Sequence, residues 1–150
     1  MRRSTAREIA VRLIFAISEN PESSETVLAQ IFEPEYYSTL ESEDSLFKEK
    51  PNPKQVEYIS RIVTGVVEHG LELDGYIEKY AVGWKFGRIS RTATAIMRTA
   101  MFEVLYMQDV PNSAAINEAV EMAKRYEPPE TVSFLNGVLG SFSRAEVYNG

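Results

Sequence analysis

The chain has 150 residues, a length that suits one domain able to bury its own hydrophobic core. Its 44% apolar content is that of an ordinary globular protein, no run of about 18 apolar residues offers a membrane span, and the start lacks the unbroken apolar stretch of a secretory signal. The absence of cysteine excludes disulfides, thiolate zinc sites and a cysteine nucleophile, and the net charge of −6 argues at first sight against a polyanionic partner.

That charge is unevenly spread. Residues 19–50 hold nine acids and two lysines, whereas the rest of the chain holds thirteen acids and fourteen basic residues. The first twelve residues carry Arg2, Arg3, Arg7 and Arg12 against Glu8. Phosphate binding depends on local positive charge, so this start is compatible with a modest affinity for RNA that a partner would reinforce. A reducing, cytoplasmic location agrees with the lack of cysteine.

In chain order, Thr5-x-x-Glu8 has the form of a capping box and predicts that the first helix starts at Thr5. Ala6, Ile9, Ala10, Leu13 and Ile17 recur at helical spacing, with Arg7, Val11 and Phe15 as a second stripe. Asn20-Pro21 breaks the pattern, and Glu25 to Phe32 reads as a short second helix. Glu33 to Asn52 reads as a solvated acidic loop.

Asn52 and Pro53 mark a strong helix start, with Val56, Ile59, Ile62, Val63, Val66 and Val67 as its apolar face and Gly70 as its end. Another helix is predicted over Leu73 to Ala81, followed by a connector, residues 83–87, anchored by Trp84 and Phe86. Ser90 caps a helix whose face runs through Ala93, Ile96, Met97, Ala100, Met101, Val104 and Leu105. Pro111 precedes a helix with Ile116, Ala119, Val120 and Ala123 inward. Pro128-Pro129 leads into a last helix with Val132, Leu135, Val138, Leu139 and Phe142 inward, frayed from Ser143. No strand alternation appears, so the fold class is an all-α bundle of about seven helices. Its expected organisation is one domain over 1–150. An N-terminal helical part spans about 1–70, with the acidic loop at about 33–52, and a C-terminal part spans about 71–142.

The residues give little support to catalysis. The single histidine, His69, sits at a predicted helix end, where it complements the dipole. No glycine spacing makes a phosphate loop, and Glu118 and Glu121 read as solvated helix acids rather than an acid–base pair. No enzyme, metal or cofactor is expected.

The remaining blocks carry a resemblance. RRSTAREIAVRLIF at 2–15, Trp84-x-x-x-Arg88, AIMR at 95–98, FEVLY at 102–106, Val110-Pro111, INEAVEMAKRY at 116–126 and FLNGVL at 134–139 resemble the bacterial transcription antitermination factor NusB family. The match covers residues 2–17 and 54–142 in register; the acidic segment 19–50 has no part in it. The resemblance implies a NusB-like helical bundle in two small packed subdomains and a non-enzymatic role in ribosomal RNA transcription. It implies boxA-type RNA, the ribosomal protein NusE and the RNA polymerase antitermination complex as partners, with no membrane association. Relatives occur as monomers and as dimers, so a homodimer stays open.

The resemblance places the RNA-binding residues at Arg2, Arg3, Arg7, Phe15, Tyr126, Glu130 and Phe134. Arg3 and Arg7 would hold phosphate, and the three aromatics would stack on or flank bases; Glu130 would accept from a base edge or cap its helix. Guanidinium–phosphate forks and base stacking over a basic track are the physics of single-stranded RNA binding. Phe15 and Phe134 read equally well as half-buried core aromatics, and Arg12 as a solvated helix residue. Asn117 and Glu118, flanking a buried Ile116, read as structural, as do Arg98 and Glu103 in an intramolecular polar network. Gly137 reads as a point of close helix approach.

One position departs from the family. Where a carboxylate is usual on the partner-binding face this chain has Ala93, and losing a charge-assisted contact would weaken NusE binding by about 1.5–3 kcal/mol. Two other readings remain: a helical protein-interaction scaffold, and a severed N-terminal RNA-binding domain of a ribosomal RNA cytosine-5 methyltransferase. The second would need a further domain and a cysteine that this sequence lacks.

Overall fold

The computed structural model describes residues 1–17, 24–84 and 88–147. The Asn20-Pro21 break and Phe86 of the connector lie outside them. The described residues form eight α-helices and one 3-10 turn, with no strand. They divide into two compact units, Met1–Val67 and Glu68–Gly150.

In the first unit, α1 spans Arg3–Ile17 and buries Ala6, Ile9, Ala10, Val11, Leu13, Ile14 and Ile17. It begins two residues before the expected Thr5, because the Ala6 N–H already reaches the Arg2 carbonyl at 3.1 Å. Next come α2 (Ser24–Ile31), α3 (Pro34–Leu40), a 3-10 turn (Ser45–Phe47) and α4 (Pro53–Glu68).

The stretch expected as a solvated loop is therefore largely ordered into short elements. Glu33 caps α3, its carboxylate accepting from the Glu35 and Tyr36 N–H groups at 3.2 and 2.9 Å. Tyr37 is buried between Phe32 and Phe47, with ring centroids 6.1 and 5.9 Å away. Its hydroxyl donates to the Glu49 carbonyl at 3.2 Å. Asp44 caps the 3-10 turn through the Leu46 N–H at 2.9 Å and also accepts from the Arg12 guanidinium of α1 at 2.7 Å. Arg12 is thus a clamp on the acidic segment, not a solvated residue. Asn52 starts α4 as expected: its Oδ1 accepts from Gln55 N–H at 2.9 Å while Gln55 Oε1 accepts from Asn52 N–H at 2.8 Å, a reciprocal capping box.

The second unit holds α5 (Gly70–Tyr80), α6 (Arg91–Tyr106), α7 (Asn112–Tyr126) and α8 (Pro129–Glu146). Gly70 opens α5 rather than closing α4, which ends at Glu68. His69, between them, stacks on Tyr106 with ring centroids 4.3 Å apart. Ser90 caps α6 as expected, accepting from the Ala93 N–H at 3.0 Å. Helix α6 is buried on nearly every side, and α5, α7 and α8 all pack on it. Leu73 and Ile77 of α5, Ala119 and Ala123 of α7, and Leu135, Leu139 and Phe142 of α8 complete the core. Ile116, expected inside, is only half-buried.

Helix α8 does not fray at Ser143. Ser143 is buried, and Glu146 accepts from the Lys79 ammonium at 3.0 Å and from the Tyr80 hydroxyl, tying the helix end to α5. Gly137 has open space where a Cβ would stand, so no neighbouring helix accounts for it. Arg98 makes a two-pronged ion pair with Asp74 of α5 at 2.7 and 2.8 Å, which confirms its structural role and supplies its partner.

Two outcomes follow from these contacts. The Leu46 N–H and the Arg12 guanidinium, in that order, hold the Asp44 carboxyl below the usual aspartate range. A lowered native pKa contributes stability above the ordinary aspartate range that is lost as pH falls through the native value. Hydrogen exchange at Leu46 should accordingly quicken across that acid window, and Asp44→Asn should flatten the response while still capping the turn. A second test is a double-mutant cycle in urea. Asp74→Ala and Arg98→Ala should each cost about 1–3 kcal/mol, and together less than their sum by at least about 0.5 kcal/mol. Simple additivity would show that the pair contributes nothing.

Candidate nucleic-acid interface

The basic start is built on the first turn of α1. That turn contains no acidic residue, although the positive end of a helix dipole ordinarily attracts one. Arg2 and Arg3 are exposed there, adding their charge to that of the unsatisfied N–H groups. The Arg3 guanidinium lies over the Tyr58 ring of α4, 4.4 Å from its centroid. The backbone before the helix is tied down as well: Gln55 Nε2 donates to the Met1 carbonyl at 2.9 Å, and the Met1 ammonium pairs with Glu49. A shallow cavity of about 280 Å³ lies here, lined by Met1, Arg3, Asn52, Lys54, Gln55 and Tyr58 among others.

Arg7 does not belong with this exposed set. It is only 4% exposed, and its guanidinium sits 5.9 Å from the same Tyr58 ring. A residue so covered has little surface left for a phosphate, so the expectation of a direct contact at Arg7 is corrected to a packing role beside Tyr58. Phe15, two turns further along the same stripe, is half-buried.

The other expected residues lie in the second unit, around the turn between α7 and α8. Tyr126 is the last residue of α7 and is exposed. Lys124 and Arg125 precede it, complementing the C-terminal dipole. Pro128 and Pro129 set the turn, and Glu130 is exposed in the first turn of α8, favourably placed toward its positive end. Phe134 is half-buried, and its ring meets Trp84 with centroids 4.5 Å apart and planes inclined by 36°. Ser90, the cap of α6, donates to the Glu127 carboxylate, so the start of α6 and the end of α7 are held together.

Ala93 is 0% exposed. It offers no atom to a partner, and the expectation that it forms part of a partner-binding face is corrected: the residue belongs to the core of α6. A carboxylate in that position would have to be buried and paired. Three residues that hold arginines singled out in the sequence are absent from the sequence expectations: Tyr58 beside Arg3, Asp44 on Arg12 and Asp74 on Arg98. Each is joined to its partner across at least 24 residues of chain, and no local spacing signals such pairs.

Among the described residues there is no cluster of three or more potential metal ligands and no helix long and apolar enough to cross a membrane. The model of the NusB family matches residues 4–144. The chain belongs to the NusB family. The transcription antitermination protein NusB of Acetivibrio thermocellus is 39% identical over 147 residues, covering 98% of this chain and 92% of that protein. Its counterpart in Clostridium novyi is 33% identical, covering 97% of this chain and all of the other. Among solved structures, T. maritima NusB aligns over 97% of this chain and 92% of its own with a TM-score of 0.74 at 25% identity. A chain in the crystal structure of a plectonemic RNA supercoil shares the fold over the full length of both, with a TM-score of 0.76 at 23% identity. NusB relatives are antitermination factors rather than enzymes, and this chain carries the same all-α fold.

The two arginines separate cleanly by experiment. Arg7→Ala should lower stability by about 1–3 kcal/mol through reduced packing, whereas Arg3→Ala should stay within about 1 kcal/mol of the parent protein. Chemical unfolding of both variants checks this, and equal losses would return Arg7 to the exposed set.

Proposed function

We propose that this chain is a transcription antitermination factor that binds boxA-type single-stranded RNA together with the ribosomal protein NusE. In that role it acts within the RNA polymerase antitermination complex to promote ribosomal RNA transcription. The observation that carries the reading is the exposed Arg2–Arg3 pair on an acid-free helix N-terminus, in a chain related over nearly its whole length to named antitermination proteins.

Arg2 and Arg3 supply charge for phosphate, in a position where the helix dipole adds to it rather than opposing it. Tyr126 and Phe134 supply faces on which bases stack, and Phe15 flanks the basic start. Glu130 accepts from a base edge. Two exposed arginines give a modest electrostatic attraction, which is why NusE belongs in the proposal: a second protein adds contacts that this surface lacks. Nascent RNA and polymerase place the activity in the cytoplasm.

Fluorescence anisotropy with a labelled boxA-like strand and a scrambled control, with and without NusE and at two salt concentrations, tests the reading. Preferential binding that tightens with NusE and weakens with salt is expected. Arg2→Glu combined with Arg3→Glu should reduce affinity at least about tenfold and flatten the logarithmic salt slope by roughly 0.7 for each phosphate left without its arginine, with the fold unchanged. Wild-type affinity and slope in that folded variant would remove the N-terminus from the RNA surface.

A further inference from the structure

We infer that Trp84 and Phe134 form a composite platform that stacks a nucleobase, with Trp84 as the outer, RNA-contacting ring. The inference rests on the RNA-binding reading above and adds to it a residue on a different element.

Phe134 on α8 and Trp84 ahead of α6 are fifty positions apart in sequence, yet their rings are in contact at 4.5 Å. An aromatic pair serving only the core would be covered. Here Phe134 is half-buried while Trp84 remains 37% exposed, so Phe134 backs the indole without closing the residue off from solvent. Tryptophan is a rigid, polarizable ring with a polar N–H edge, suited to stacking against a planar ligand while its edge stays in water.

The surroundings favour a base over an apolar peptide. Arg88 and Arg91 follow Trp84 closely in sequence and are exposed, and Arg125 closes α7 beside exposed Tyr126, next to Lys124, whose ammonium pairs with Glu121 at 2.8 Å. The hydrogen bond from Ser90 to Glu127 brings the start of α6 and the end of α7 to the same end of the unit. Glu127 has its carboxylate engaged by that bond, leaving Glu130 as the exposed acid of the turn. Aromatic rings interleaved with cations are the pattern of a single-strand track, where stacking tolerates any base and the cations follow the backbone.

Trp84 is the only tryptophan in the chain, so its emission reports on this platform alone. The test titrates unlabelled boxA-like RNA into the full chain, with and without NusE, under excitation selective for tryptophan. Labelled-RNA anisotropy is followed in parallel, and acrylamide quenching is recorded at saturation. Bound RNA should quench Trp84 and shield it from acrylamide. Trp84→Ala should weaken binding on the order of tenfold or more, and Trp84→Phe should recover most of that loss, with thermal melts confirming that both variants fold. RNA that binds by anisotropy while Trp84 emission, acrylamide access and Trp84→Ala affinity stay unchanged would overturn this inference and leave the RNA-binding reading standing. A change in Trp84 on adding NusE without RNA, and none on adding RNA, would overturn it in favour of a protein-docking ring. Absence of RNA binding in every condition would overturn both readings together.

Discussion

Helix α6 is the element on which the second unit depends. Almost none of it faces water, and three other helices must approach it. Close approach from several sides requires small side chains between the larger ones, and the helix supplies Ala93, Ala95 and Ala100 among Ile96, Met97, Met101 and Phe102. Its two buried threonines would strand hydroxyls in an apolar core, but each bonds the carbonyl four residues back: Thr94 to Ser90 and Thr99 to Ala95, both at 2.9 Å. Arg98 escapes the same penalty by leaving the helix toward Asp74. A helix buried all round does not show a one-sided stripe, and its polar residues must all find internal partners.

The same physics decides what is legible in the sequence. The stripes of α1 and α8, the Ser90 cap and the Asn52 start are local signals, each confined to a few residues, and they stand where the sequence predicts them. The Glu33–Asn52 segment misleads for a physical reason. Its acids suggest a solvated loop, but two of them are engaged: Glu33 caps α3, and Asp44 both caps the 3-10 turn and reaches across the chain to clamp Arg12. Tyr37 then anchors the whole segment by burial. Composition counts such charges without seeing that they are engaged.

The candidate surface is legible to different degrees for the same reason. Arg2, Arg3 and Tyr126 are exposed, as expected of residues at or near helix ends, even though α1 starts two residues before the expected Thr5. Arg7 and Ala93 depart from expectation because a helical position says which stripe a residue occupies but not how deeply a second helix covers it. Tyr58 on α4 covers Arg7, and the packing around α6 covers Ala93. The Trp84–Phe134 contact lies beyond any local pattern, since its two halves come from segments separated by α6 and α7.

The acidic segment also bears on how strongly the first unit can attract a polyanion. Two of the positive charges near its start are already used internally, Arg12 by Asp44 and the Met1 ammonium by Glu49. Arg7 is buried against Tyr58. A start that looks strongly basic in sequence therefore presents chiefly Arg2 and Arg3 to solvent, while the remaining acids of residues 24–50 stand within the same unit. Coulomb attraction at such a surface is screened within about 10 Å at ordinary ionic strength, so the acids temper it without cancelling the charge at the helix tip.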